Sequence, residues 1–491
     1  MTTRRAFRHH LGKATFYADT LFLCLESDDA DSFARLIAEM PRDIVAAERA
    51  LRAGQREQVL PVLSRHWHEF VHYHQFAGTR FGLIFRRLLA ARTRLREQIL
   101  LQLEPGALHA LLNSNTGHGP LMRIESAHRI VVHPIVRANA DADFVAVLGW
   151  LDAFEAHLLD GSYPELFTPA ARTAAILDAT AEWTRESGDF APVDLLIKLE
   201  AEADTEPDQI PKLSGISSIC EAQATINERP MLERQAGDPL ALSLQAWIAS
   251  SYWDIPRRFH VKDTNTSKGF ALLAACVLLV TDIALNGVPP DSGGGSGASL
   301  IVHPSRVVSM LIEMQDRWRH IIDSPLQHWS RADFLQRRAD IVSLGLNNSL
   351  LPRFAVPEPE TASGQRRDAH PVIQQLGIYA ELRSLIAYVS NTDPAAALFP
   401  TGCILERPDA FVMDDRLLKN LVCPFLAVGG VPFRNRIDEE TWVRWRLLCG
   451  YELWLDNIFC GRKEEWSRLA AGTELIQAIR ELGINRAGRA V

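Results

Sequence analysis

No CxxC pair occurs in this sequence, and its seven cysteines (Cys24, Cys220, Cys276, Cys403, Cys423, Cys449 and Cys460) are an odd number. Both facts argue against a disulfide framework and a cysteine zinc ribbon, and they favour a reducing, cytoplasmic setting. There is no excess of positive charge: 52 Lys and Arg stand against 60 Asp and Glu, a formal net charge of -8. Such a chain has no electrostatic footprint for nucleic acid. The basic start, MTTRRAFRHHLGKATFYADT, is followed by no apolar h-region of adequate length, so no secretion signal is expected. GxSxG elbows are absent, which removes the usual signal for a Ser-His-Asp site. The GGGSG stretch lacks the lysine of a phosphate-binding loop. No internal repeat occurs at solenoid periods.

Long apolar runs are scarce. The longest, residues 270–288 (FALLAACVLLVTDIALNGV), has the length of a membrane span. Asp282 and Asn286 lie inside it, and a charge at membrane depth costs several kcal/mol. The run is therefore expected to be a buried core helix, with no membrane partner.

What remains is a large apolar stock. Of 491 residues, 47% are hydrophobic and 23% charged, enough for a substantial core and, by length, two or three domains. Helical spacing of apolar residues recurs at 29–53, 62–76, 81–103 (after a break at Gly78), 143–159, 169–187, 239–251, 305–322, 331–346, 372–389 and 438–459. Strand signals are few: 20–25, 129–136 and 299–303. The expected class is mainly α with a small β-sheet. Two polar, Pro-rich or Gly-rich stretches, 289–298 and 353–367, read as connections. They divide the chain near residues 290 and 360, with a first region over 1–290 that holds the chemistry described below and a helical region over 299–491.

The chemistry concentrates in His68-Glu69-Phe70-Val71-His72, an HExxH motif with no Pro or Gly between Val62 and Ala77. On a helix, positions i and i+4 share a face, so His68 and His72 can bind one zinc ion from the same side. Glu69 is then placed to approach a water on that ion. A catalytic zinc usually takes three protein ligands and leaves a fourth position for water. The metzincin extension is absent, since no His stands at the sixth position after His72. A downstream glutamate is the alternative. Glu221, in Glu221-Ala-Gln-Ala224, is the first choice, and Glu228 lies two turns along the same segment. Ala222 and Ala224 are small enough for close helix packing. A competing role for Glu221 exists, because Ser218-Ile-Cys-Glu221 has the form of a capping box.

HExxH followed by a helical glutamate in an ExxA setting resembles the gluzincin group of zinc metallopeptidases. The resemblance covers two short segments, and Ala222 stands where many members have Gly. The spacing from His72 to Glu221, 149 residues (221 − 72), is long for the group and implies a helical insertion at about 140–190. The resemblance implies a zincin-like core, zinc on His68, His72 and Glu221, Glu69 as general base, and a peptide or protein substrate. Tyr252, His260 and His118 are weaker choices for an oxyanion partner. By analogy with zincins, residues 20–25 would serve as an edge strand that aligns an extended peptide. Two other readings share the residues. One is a non-peptidase metalloenzyme using the same two histidines and carboxylate, for instance with iron. The other is a helical binding or regulatory protein whose metal site is structural or degenerate.

Overall fold

A computed structural model describes residues 6–8, 14–18, 22–25, selected positions from 65 to 107, and 121–124, 130–160, 215–235, 253–262, 267–286, 304–322, 329, 331–344, 426–428, 431–432 and 455–460 without 457. The helices expected at 29–53, 169–187, 239–251 and 372–389, the strand at 299–303 and both connecting stretches lie outside these residues. The described part is mainly helical with two small sheets, in keeping with the expected class.

The larger sheet has five strands: β1 (Ala6–Arg8), β2 (Ala14–Tyr17), β3 (Phe22–Leu25), β6 (Leu426–Val428) and β7 (Val431–Pro432), in that spatial order. Period-2 alternation builds it: Leu23 and Leu25 are buried on one face of β3, while Cys24 between them is half-exposed. β3 is antiparallel to β2 and parallel to β6, with Leu23 opposite Leu426 and Leu25 opposite Val428. β3 is thus a central strand, which corrects the edge-strand expectation for 20–25. Both its sides already carry ladder hydrogen bonds, so it has no open edge for a peptide. Among the described strands the edges are β1 and β7, and Pro432 suits the latter because proline cannot donate to a further strand.

The second sheet pairs β4 (Met122–Ile124) with β5 (Ile130–Val132), antiparallel. The strand expected over 129–136 ends early. Pro134 starts helix α1 (Pro134–Asn139), where its missing N–H costs nothing, and His133 Nδ1 caps the turn by accepting from the Ile135 N–H. Helix α2 (Ala142–Asp160) follows, close to the expected 143–159. It packs on β4, on β5 and on helix α3 (Ile216–Gln235). The described part of the expected insertion therefore belongs to the same core as the Glu221 helix.

Helix α4 (Ser267–Asn286) is buried on every side beyond the exposed Lys268, as a helix without a polar face must be. It has the length and composition of a membrane span, but 89% of the window Lys268–Leu285 is buried within the protein. It packs against α3, α5 (Pro304–Glu313) and α7 (Arg331–Ser343). Its buried charge is answered there: Asp282 Oδ2 lies 2.7 Å from Arg338 Nε of α7. The single helix expected over 305–322 is broken at Met314 into α5, the short α6 (Gln315–Trp318) and a 3-10 turn, Arg319–Ile321.

Contacts cross the division expected near residue 290. β6 joins the N-terminal sheet, and the Leu121 N–H donates to the Ile458 carbonyl at 2.9 Å. Arg96, fully buried, donates to Asp456 Oδ1 at 2.5 Å and lies 3.4 Å from Asp152 of α2. Arg92, on the same helical stretch, pairs with Glu155 of α2. Leu426–Val428 and Val431–Pro432 are strands inside a region expected to be helical.

Candidate metal centre

Arg65, His68, Glu69, residues 71–73, Gln75 and Phe76 are all helical, as the HExxH spacing requires. The stretch ends against Thr79, one residue past the expected break at Gly78. The Thr79 hydroxyl donates to the Gln75 carbonyl at 2.5 Å and accepts from the Gly82 N–H at 3.0 Å, which starts the next helical stretch. A Cβ on Gly82 would fall 2.6 Å from the Gln75 carbonyl, so a turn this tight needs glycine.

The motif helix is held from the sheet side by Phe16 of β2. Its ring lies 6.2 Å from that of His72 and 5.9 Å from that of Phe76. His68, Glu69 and His72 are fully buried. The two imidazoles stand edge to face, 5.0 Å between centroids, on one side of the helix.

Helix α3 supplies the third group. It begins after Gly215, so Ser218 is already in its first turn, its N–H bonded to the Gly215 carbonyl. The capping-box role for Glu221 is thereby replaced. Its carboxylate leaves its own helix: Oε2 lies 3.0 Å from His68 Nε2 and 3.5 Å from His72 Nε2. Ser217 anchors the start of α3 by donating to the Leu159 carbonyl of α2 at 2.6 Å. Ala222 and Ala224 are fully buried, as small packing residues should be. The side chain of Glu228 lies outside the described residues, as do Tyr252 and His118. His260 is described, exposed, and tied through its backbone to Gln315 and Arg319.

Electrostatics favour ionised Glu221 beside neutral His72. Burial works against the Glu221 charge, but the imidazoles of His72 and His68 outweigh it and pull the carboxyl down to about 2. Burial lowers His72 from its ordinary value, and attraction to Glu221 offsets only part of that. A carboxylate and neutral imidazoles are the protonation states that metal binding needs. Burial, then the Glu221 charge, push the neighbouring Cys220 thiol well above its ordinary value, so it stays protonated.

The donor atoms of His68, His72 and Glu221 all lie within 4.8 Å of one another, the one such group of His, Cys, Asp or Glu among the described residues. Zinc bonds of 2.0–2.1 Å in a tetrahedron place neighbouring donors about 3.3 Å apart. The observed 3.0 and 3.5 Å bracket that spacing. The three residues could therefore hold a metal ion, and the two separations to Glu221 are compatible with zinc.

Two residues at this centre carried no signal strong enough to single them out beforehand. Gln75 Oε1 lies 2.8 Å from His72 Nδ1, and Gln75 Nε2 donates to the Cys220 carbonyl at 3.0 Å and to Gln223 Oε1 at 2.8 Å. The available hint was position: Gln75 is one helical turn after His72, and Gln223 is the glutamine of Glu221-Ala-Gln-Ala224. In comparisons with known proteins, the chain matches no family model, no curated protein and no solved structure.

Proposed function

We propose that this protein is a zinc-dependent hydrolase, a metallopeptidase of gluzincin type that cleaves a peptide or protein substrate. One observation carries the reading. Two histidines one turn apart and a glutamate 153 residues from the first of them converge, buried, beside a motif glutamate. Burying three such polar groups is costly unless they are satisfied together. A purely structural site would have no use for Glu69 next to His68.

In this reading His68 and His72 hold the metal through Nε2, and Glu221 holds it through its carboxylate. When bound, zinc supplies Lewis acidity that activates water and polarises a scissile carbonyl. Glu69 accepts a proton from the attacking water and delivers it to the leaving nitrogen. Its side chain is fully buried, which limits competing water. Gln75 and Gln223 tie the two ligand-bearing helices together, which keeps the donor set in place while substrate comes and goes.

The test is elemental analysis of protein purified without chelators, followed by an assay on a mixed peptide library. About one zinc per chain, with cleavage lost on chelation and restored by zinc, is expected. Protein free of stoichiometric metal would overturn the reading. Iron in place of zinc would move it to oxygen-dependent chemistry on the same ligands.

A further inference from the structure

We propose that Gln75 is a positioning residue that locks His72 in its Nδ1–H tautomer and so aims the Nε2 lone pair at the metal position. The consequence for metal binding rests on the zinc reading above, whereas the tautomer itself rests on geometry alone.

The two ends of the Gln75 amide are told apart by their partners. One end lies 3.0 Å from the backbone carbonyl of Cys220, which can only accept, so that end is the NH2 group. The same nitrogen donates to Gln223 Oε1 at 2.8 Å. The other end is then the carbonyl oxygen, and it sits 2.8 Å from His72 Nδ1. An amide oxygen can only accept, so Nδ1 carries the hydrogen. Neutral imidazole has a single N–H, which leaves Nε2 as an acceptor. That nitrogen is the one 3.5 Å from Glu221 Oε2.

Both partners that orient the amide belong to α3, one residue before Glu221 and two residues after it. The packing that delivers the third ligand is therefore the packing that sets the tautomer of the second. In water, imidazole prefers its proton on Nε2, the wrong nitrogen for this centre. Docking of α3 reverses the preference through Gln75. Outer partners of this kind are worth roughly 10–100-fold in metal affinity.

The experiment uses the metal-free full chain labelled with 15N-histidine, with the His72 signal assigned from a His72→Asn variant. Long-range 15N NMR reads the tautomer, and competition with a chromophoric chelator reads zinc affinity. Wild type should show Nδ1–H at His72. Gln75→Met should shift the proton to Nε2 and weaken zinc binding by about 10–100-fold. Gln75→Glu keeps an acceptor oxygen facing Nδ1, so it should retain the tautomer and bind zinc within a few-fold of wild type. A role limited to tying helices together predicts the reverse order, because the carboxylate that Gln75→Glu introduces would face the Cys220 and Gln223 oxygens. That reverse order, or Nε2–H in the wild type, overturns the proposal, and the second result needs no variant to fold. Wild type with Nδ1–H but no affinity for zinc would sustain the lock and remove the zinc reading.

Discussion

His68 Nε2 and Glu221 Oε2 stand 3.0 Å apart across 153 residues of chain. The contact joins a motif helix backed by the five-stranded sheet to a helix packed on α2 and α4. Each side is incomplete alone: one brings two imidazoles, the other a carboxylate.

The first expectation separates binding from chemistry. His68→Ala removes one of three donors and should cost more zinc affinity than the roughly 10–100-fold typical of outer partners. Glu69→Gln removes only the proton acceptor. It should keep zinc at wild-type stoichiometry and lower kcat by about 10²–10⁴-fold. Metal analysis and peptide cleavage on the same preparations check both, and a Glu69→Gln protein with undiminished turnover would contradict the assigned role.

A second concerns acid. Burial holds His72 below its ordinary 6.5, with Glu221 opposing only in part. A base depressed in the folded state binds its proton more tightly when unfolded. Its cost is absent above the unfolded value and grows as pH falls below it. Glu221, pulled down to about 2 by the two imidazoles against the effect of burial, stays ionised throughout this window. Metal-free protein should therefore have a lower urea midpoint at about pH 5.5 than at about pH 7.5, with a slope approaching 1.4 kcal/mol per pH unit at most. His72→Phe should flatten the difference. Equal wild-type midpoints would count against a neutral buried His72.

Arg96 offers a third. It joins Asp456, Asp152 and the Cys460 sulfur, and its guanidinium lies 5.3 Å from the Phe459 ring centre. Arg96→Met would take from Asp456, 1% exposed, the guanidinium that balances its buried charge. The expected loss is about 3–5 kcal/mol by chemical denaturation. Arg96→Met combined with Asp456→Leu should recover much of it. If the double variant is no more stable than Arg96→Met alone, the loss has another origin.

Helix α2 meets β5 where Gly149 faces the Ile130 side chain. A Cβ on Gly149 would lie 2.9 Å from Ile130 Cγ1. Gly149→Ala should destabilise by about 1–3 kcal/mol through overpacking. Adding Ile130→Ala should offset part of that loss, giving a non-additive cycle. Strict additivity in thermal denaturation would show that the two positions do not meet.

The cluster of His68, His72 and Glu221 was legible because the pattern that marks it is local. HExxH needs only one turn of helix, and Glu221-Ala-Gln-Ala224 marks its own helix by small residues. The span of α2 was legible for the same reason, from 3.6-residue spacing alone. What stayed hidden depends on distant partners. β1, β2 and β7 hold two to four residues each, too few for a period to register. The β3–β6 pairing joins residues 403 positions apart (426 − 23), and no pattern in either strand names the other. Val428 and Val431 flank Gly429-Gly430, a pair suited to a tight hairpin, and that local signal could have been read. The roles of Gln75 and Arg96 emerge only once their partners on α3 and at 455–460 are in place.

The parallel pairing of Leu23 with Leu426 has a consequence in time. During synthesis β3 emerges early, and the strand that completes its second side emerges about 400 residues later. At roughly 5–20 residues per second, that side waits on the order of 20–80 s for its partner. A half-paired apolar strand is a template for other nascent chains. Newly made protein should therefore need shelter on the ribosome or from a chaperone, and a chain stopped before residue 426 should be the species that aggregates.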